Sequence, residues 1–455
     1  MKIKPGLPAR IAATIILTRV IDDGRGLDGL LDTRHGPQAY GNLSDADKSL
    51  VRAIATTAFR HRGEIEFALS KLLDRALPKN ARHLIHTLHV AAAQILFLDV
   101  PDSAAVDLAV TALKEDSRSK RFASLGNAIL RRMAREKEQI FDSQTPENLA
   151  VLNMAPWLRK RVKKAYGRDR LPAIASQHML EPLIDLTVKS EPEAWAKKLG
   201  GVHLYANSIR VNGTGKIETW QGYEDGEWWV QDAAAHLPAH LLGDIRGKSV
   251  VDLCSAPGGK TAQLIAAGAN VTAVEASEPR LERLQQNLER LKFQTNTVHA
   301  NLLEWQPDQL FDAVLLDAPC SSTGTIRRHP DVQWTKSADI VEGLATLQRD
   351  MIVRAAQFLK PGGILVFANC SIDRTEGEDV FAQISKGNFG LIPNPITTDE
   401  LFGIGDVVTG QGTLRTLPCH LQNISPPKDS TVNPQRFSGL DGFFAARFVR
   451  SDEAT

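Results

Sequence analysis

In the first 140 residues, apolar positions recur at helical spacing. Ile11, Ile15, Ile16 and Val20 share one face, because residues three to four apart are neighbours in a helix. Ser44 with Asp47 three residues on makes a capping-box-like start to a helix ending near Arg62. His83–Phe97, Ala104–Lys114 and Ala123–Arg135 continue the pattern, so residues 7–140 predict an N-terminal all-α bundle of roughly five to seven helices. Residues 141–155 read as a connector ending at Pro156-Trp157-Leu158.

Past Leu180 the period shortens. Leu183–Val188, Ser208–Val211 and Trp228–Val230 are short strands between polar turns, so residues 141–230 predict a linker plus a small α+β middle module. From Gly247 strands alternate with helices: Ser249–Leu253, Asn270–Val274, Thr297–Ala300, Asp312–Leu316, Gly363–Ala368 and a closing pair near Phe443–Val449. Apolar, β-branched runs of this kind belong to parallel strands buried on both faces. Residues 231–455 therefore predict a C-terminal α/β, Rossmann-like domain with helices on both faces of an open sheet. The Pro/Gly/Thr-rich stretch 393–440 reads as loops over the sheet edge.

At 455 residues the chain is too long for one core, and 43% hydrophobic with 24% charged residues marks it as globular. Net charge is only +1, so affinity for nucleic acid cannot rest on the total. Its distribution is more informative: the front is basic and the back acidic, as suits a basic clamp beside a separate active domain. Five of the six residues Arg159–Lys164 are cationic. A charge run is usually a solvated face, but this density suits phosphate contact, with Arg159, Lys160 and Lys163 as candidates. Cys254, Cys320, Cys370 and Cys419 have no paired short spacing, so neither a zinc site nor a disulfide framework is expected, and no metal. The run Ile11–Ile21 is interrupted by Arg19 and too short to span a bilayer. A cytoplasmic setting without a membrane partner is the simplest expectation, and a monomer.

Chemistry concentrates where strands end. Ser249–Leu253 runs into Cys254-Ser255-Ala256-Pro257-Gly258-Gly259-Lys260-Thr261, a strand, a glycine turn and a helix start, which together present backbone N–H groups to a ligand. The Gly-Lys-Thr ending imitates a phosphate-binding loop, but Cys254 stands where that loop needs glycine, and no Gly-x-Gly-x-x-Gly is present. Glu275 closes the next strand, where a carboxylate can accept hydrogen bonds from ribose hydroxyls. The turn thus fits an adenosine-type ligand without a polyphosphate; an ordinary tight turn is the bland alternative. Asp317-Ala318-Pro319-Cys320 and Asn369-Cys370-Ser371 follow two further strands. A cysteine there is more often a small buried hydrophobe, but two of them beside an aspartate and a nucleotide-type site suit nucleophilic chemistry.

These motifs resemble those of the RNA 5-methylcytosine methyltransferases. Asp252–Thr261 looks like that family's cofactor motif; Asp317–Gly324 and Asn369-Cys370-Ser371 look like its two cysteine motifs. Arg327-Arg328-His329-Pro330-Asp331 and Asp441-Gly442-Phe443-Phe444 fit as well. The front, with Asn127–Arg132, resembles the Nus-type antitermination factor, and the whole is similar to the bacterial 16S ribosomal RNA cytosine-5 methyltransferases of the Fmu/Sun family. That resemblance implies S-adenosylmethionine bound by Cys254, Ser255, Ala256, Pro257, Gly258, Gly259, Lys260, Glu275, Asn301 and Asp317. It implies Cys370 as the nucleophile at carbon 6, Cys320 in product release, Asp317 on the cytosine and Lys260 in support, with Arg327 and Arg328 on RNA phosphates. Asn369 and Asn301 depart from the usual threonine and aspartate, the second bearing on cofactor affinity. Two other readings stay open: a non-catalytic RNA-binding factor, and a DNA cytosine methyltransferase with its nucleophile in the Pro-Cys motif.

Overall fold

The computed structural model describes residues 4–451 apart from 76 and 79. These fall into two compact units. One comprises the described residues up to Met179 together with Arg328–Ser337; the other comprises Leu180–Arg327 and the described residues from Ala338 onward.

The first unit is helical. Its longer bundle helices are Leu7–Asp23, Asp45–Arg60, Arg62–Leu72, Arg82–Phe97, Asp102–Glu115 and Ala123–Glu136. Ser44 caps its helix as expected, accepting the Asp47 N–H at 3.1 Å. The buried face of the first helix is Ala12, Ala13, Ile16, Leu17 and Val20. Ile11 and Ile15 are only half-buried, because close helix packing is met by the alanines. Helix Arg82–Phe97 is enclosed, burying even His86, His89 and Gln94. Gln94 accepts from Arg10 Nε at 2.9 Å, as a buried polar group must find a partner. Segment Arg328–Ser337 completes this unit: Asp331 accepts Leu27 N–H at 2.9 Å and Trp334 Nε1 donates to Phe59 O at 3.0 Å.

The supposed connector holds a helix, Pro146–Leu152, capped by Thr145. Its seven residues are too few for an apolar period to show. The basic segment that follows is helical from Pro156 to Met179, with one non-helical residue, Gly167, at φ 82° and ψ 178°. That conformation suits glycine.

The second unit contains two sheets. The smaller is antiparallel: β1 Ile184–Val188, β2 Gly201–Tyr205, β3 Ser208–Val211 and β4 Trp228–Val230, in the order β2-β3-β1-β4. Strand β2, largely half-buried, lacks the apolar signal and escapes the sequence pattern. The larger sheet comprises β5 Ser249–Leu253, β6 Asn270–Glu275, β7 Asn296–His299, β8 Phe311–Asp317, β9 Leu359–Asn369, β10 Leu391–Pro393, β11 Leu414–Thr416 and β12 Phe443–Arg450. Its order is β10-β12-β9-β8-β5-β6-β7, with β11 beside β12. Strands β5 to β9 pair in parallel, and β12 runs antiparallel to β9. Alternate residues of β8 enter opposite cores: Val314 and Leu316 one, Ala313 and Leu315 the other. Both faces are covered, which is why these strands read as unbroken apolar runs.

Candidate active site

After β5 the chain moves outward through β6 and β7, then returns to β8 on the other side of β5. In open α/β sheets such a reversal leaves a crevice beyond the carboxyl ends of the strands. The register brings the chemistry to that edge. Leu253 pairs with Leu316 and Val274, and Asp317 with Ala368. Cys254, Glu275, Asp317 and Cys370 therefore leave neighbouring strands at one level.

The turn after β5 is pinned from its neighbours. Ser255 N–H and Oγ both donate to Val274 O, at 3.1 and 3.2 Å. Arg280 holds Ala256 O at 2.7 Å and Asn287 holds Pro257 O at 2.9 Å. Gly258, at φ 102°, turns the chain into helix Gly259–Ala266, whose first N–H groups have no partner within the helix. Glu275 is buried; one oxygen accepts Ala256 N–H at 3.3 Å and the other Ser277 N–H at 3.0 Å. Helix N–H groups and a carboxylate make a donor set of the kind that holds an adenosine with its ribose diol, so the residues fit a nucleoside-type cofactor. Asn301 is exposed, and its oxygen accepts Leu303 N–H at 3.1 Å. Below the turn, Thr261 donates to buried Asp252 at 2.6 Å, whose pKa burial pushes up to about 7. Burial likewise pushes the Cys254 thiol to about 12, which removes it as a nucleophile.

Beside the turn, Lys260 Nζ lies 2.7 Å from Asp317 and 5.0 Å from the centre of the Phe443 ring. Burial disfavours the ammonium, but Asp317 more than offsets this and the Lys260 pKa rises. The sulfurs of Cys320 and Cys370 are 3.4 Å apart. The Cys370 pKa falls because the Cys320 thiol donates to its thiolate, against the opposing effect of burial; Ser322 and Lys260 add to the lowering. Cys320 moves well upward, as the donor in that bond and through burial. Of the pair, Cys370 is the sulfur whose pKa falls and Cys320 the one whose pKa rises.

Most predicted residues converge here: the 254–260 turn, Glu275, Asp317, Lys260, Cys320 and Cys370. Arg327 does not. It is fully buried and donates to Ser438 O at 3.0 Å, so it is no phosphate-facing surface group. Arg328, the next residue, is exposed and belongs to the helical unit. Lys160 and Lys163 are exposed and Arg159 half-buried. A cleft of about 710 Å³, lined by Glu193, His203 and Asp429 among others, includes none of these groups.

Sequence reasoning missed the scaffold beneath the cysteines. Gly324 N–H donates to Cys370 O and Gly442 N–H to Gly324 O, both at 2.9 Å. Arg415, paired with Glu378 at 2.6 Å, donates to Ser371 O. Buried Glu376 accepts Ser321 N–H at 2.8 Å. Glu376 ends the short turn Arg374–Glu376 and Glu378 opens the helix Glu378–Lys386; acidic residues beside a helix start look like ordinary N-terminal charges, so only the cluster's position could have flagged them. Among the described residues no metal-holding cluster of His, Cys, Asp and Glu is present, and no helix is long and apolar enough to cross a membrane.

Residues 239–449 match the family described as 16S rRNA methyltransferase RsmB/F, and residues 7–135 match the NusB family. The chain is 30% identical to ribosomal RNA small subunit methyltransferase B of Enterobacter sp. (strain 638), over 97% of this chain and 98% of that protein. It is 31% identical to the protein of that name from Vibrio vulnificus (strain YJ016), over 83% and 91%. In fold it is similar to a methyltransferase homolog protein from Pyrococcus horikoshii, with a TM-score of 0.53, 23% identity, and coverage of 68% of this chain and 100% of that one.

Proposed function

Given that the chain belongs to the RsmB/F family of 16S rRNA methyltransferases, we propose that it methylates carbon 5 of a cytosine in small-subunit ribosomal RNA through a covalent link to Cys370. The observation that carries this is the thiol pair, 3.4 Å apart beside Asp317 and Lys260. Carbon 5 of an intact cytosine is not nucleophilic, so a thiolate must first add to carbon 6. Cys370, the thiol of lowered pKa, forms that S–C bond, and carbon 5 becomes enamine-like. S-adenosylmethionine, held by residues 254–260, Glu275, Asn301 and Asp317, supplies an electrophilic methyl group on a sulfonium. Asp317 orients the cytosine while Lys260 holds Asp317 in place. Loss of the carbon 5 proton then lets the electron pair return and expel Cys370, with Cys320 assisting release. Lys160, Lys163, Arg159 and Arg328 supply RNA affinity, in a cytoplasmic monomer.

The test separates the cysteines. Cys370→Ala abolishes methylation and forms no covalent enzyme–RNA complex. Cys320→Ala still attacks and transfers methyl, but an adduct with ordinary RNA accumulates and survives a denaturing gel. An adduct from Cys370→Ala with none from Cys320→Ala would reverse the roles and favour the arrangement of a DNA cytosine methyltransferase.

A further inference from the structure

Both cysteine loops are tied to one buried residue, Glu376. The Cys320 loop leaves β8, the Cys370 loop leaves β9, and Glu376 lies beneath them, fully buried. Its carboxylate accepts Ser321 N–H at 2.8 Å and Ser321 Oγ–H at 2.5 Å. Gln348, from helix Ala338–Ala356, donates to Glu376 at 3.3 Å and to Pro319 O at 2.9 Å. The residues on either side of Cys320 are thus held from below.

Those flanking Cys370 are held by the main-chain carbonyl of the same residue and, through Ser321, by its side chain. Asn369 Nδ2 donates to Glu376 O at 2.7 Å, and Asn369 Oδ1 accepts Ser371 N–H at 3.1 Å. The Ser371 hydroxyl lies 3.2 Å from Ser321 Oγ and 3.0 Å from Thr323 Oγ1, and those two are 3.2 Å apart. This hydroxyl triangle spans both loops. Ile372 N–H donates into it at Thr323, and Asp373 N–H at Ser371, at 3.1 and 3.0 Å. Each hydroxyl has one proton to give, and a buried carboxylate draws Ser321's to itself. Burial pushes the Glu376 pKa up while its Ser321 and Ser371 hydrogen bonds pull it down; a buried carboxyl with so many partners organises its surroundings, and a half-satisfied network would not.

We propose that Glu376 is a positioning residue that sets the register between the two cysteine loops, and with it the geometry in which Cys320 serves Cys370. This rests on the cysteine roles given above. Asn369 belongs to the same device: its amide donates to Glu376 O and accepts Ser371 N–H.

Two readouts separate this role from simple support of the fold. The first is the rate at which diamide, a two-electron oxidant, joins Cys320 to Cys370. Both thiol hydrogens pass to its N=N bond and one S–S bond forms, so the rate reports proximity and needs no RNA. In Glu376→Gln the amide cannot accept both Ser321 donors. The cross-linking rate falls about tenfold or more, as expected when a buried donor is left unpaired, at a temperature well below unfolding and with unchanged affinity for S-adenosylmethionine. The second is partition during turnover: kcat falls while KM for RNA holds, and covalent adduct accumulates as in Cys320→Ala. Ser371→Ala breaks the triangle but leaves Glu376 and Ser321 paired, and shows the same changes in smaller degree even if Glu376→Gln does not fold. Wild-type cross-linking in either folded variant overturns the proposal. If Cys320→Ala itself accumulates no adduct, the cysteine roles are at fault, and the cross-linking rates still judge Glu376 alone.

Discussion

Replacing Gly324 by alanine is expected to displace the nucleophile's backbone. An ideal Cβ at Gly324 would lie 1.8 Å from Gly442 O and 2.8 Å from Cys370 O, where close C···O contacts are about 3.3 Å. Backbone must therefore move by about 1.5 Å, and neither neighbour is a flexible side-chain end. The motion breaks or stretches two 2.9 Å bonds, Gly324 N–H to Cys370 O and Gly442 N–H to Gly324 O. Buried groups left unpaired cost about 1–3 kcal/mol each, and overpacking adds about 1–3 kcal/mol. Gly324→Ala should thus lose roughly 3–9 kcal/mol of unfolding free energy in urea titrations, the upper end if both bonds break outright. Folded protein should turn over about 10²-fold more slowly in transfer of labelled methyl to RNA, since a misplacement near 1 Å costs that much. Gly442→Ala is the contrast. Its Cβ meets Ile372 Cγ2 at 2.0 Å, a side-chain end that Ile372→Ala removes, so the double variant should recover part of the loss. Gly324→Ala should not be rescued by Ile372→Ala. Wild-type stability and turnover in Gly324→Ala, or equal rescue of both glycines, would refute the packing argument.

Glu275→Ala should weaken S-adenosylmethionine binding by roughly 1–3 kcal/mol in calorimetric titration, since it also leaves the Ala256 and Ser277 N–H groups unpaired; wild-type affinity would place the ribose elsewhere. Neutralising Arg159, Lys160 and Lys163 should flatten the salt dependence of RNA binding by about one unit of slope for each phosphate no longer neutralised, and an unchanged slope would remove that helix from the RNA surface. Burial lowers the pKa of His89 and of His236 to about 3. As pH falls from about 6.5 the unfolded chain takes up protons that the folded one refuses, so stability drops by up to about 1.4 kcal/mol per unit and site until about pH 3. His236→Gln should remove one site's share from the melting-temperature curve; a superimposable curve would contradict the buried neutral imidazole.

How far the site was legible depended on where the signal lay. The 254–260 turn, Glu275, Asp317 and the two cysteines stand at the ends of apolar runs, so their types and positions are local information. The same locality hid Pro146–Leu152, too short to show a period, and β2, whose half-buried residues resemble a loop. Arg327 misled for a related reason: a pair of arginines reads as a basic surface, yet one is buried against Ser438 O and the other exposed.

By itself, the amino-acid order determined the helical front, the buried parallel strands and the reactive groups at their ends, because periodicity and strand-end chemistry are carried by neighbouring residues. Only the tertiary structure decided that β8 and β9 pair with Asp317 opposite Ala368, which sets the sulfurs 3.4 Å apart. It also decided that Gly324 and Gly442 meet backbone to backbone, and that Glu376 serves both cysteine loops. The sulfur pair and the Glu376–Ser321 bonds join residues 50 and 55 positions apart. No local pattern encodes such a pairing, since its energy exists only once the strands have brought the groups together.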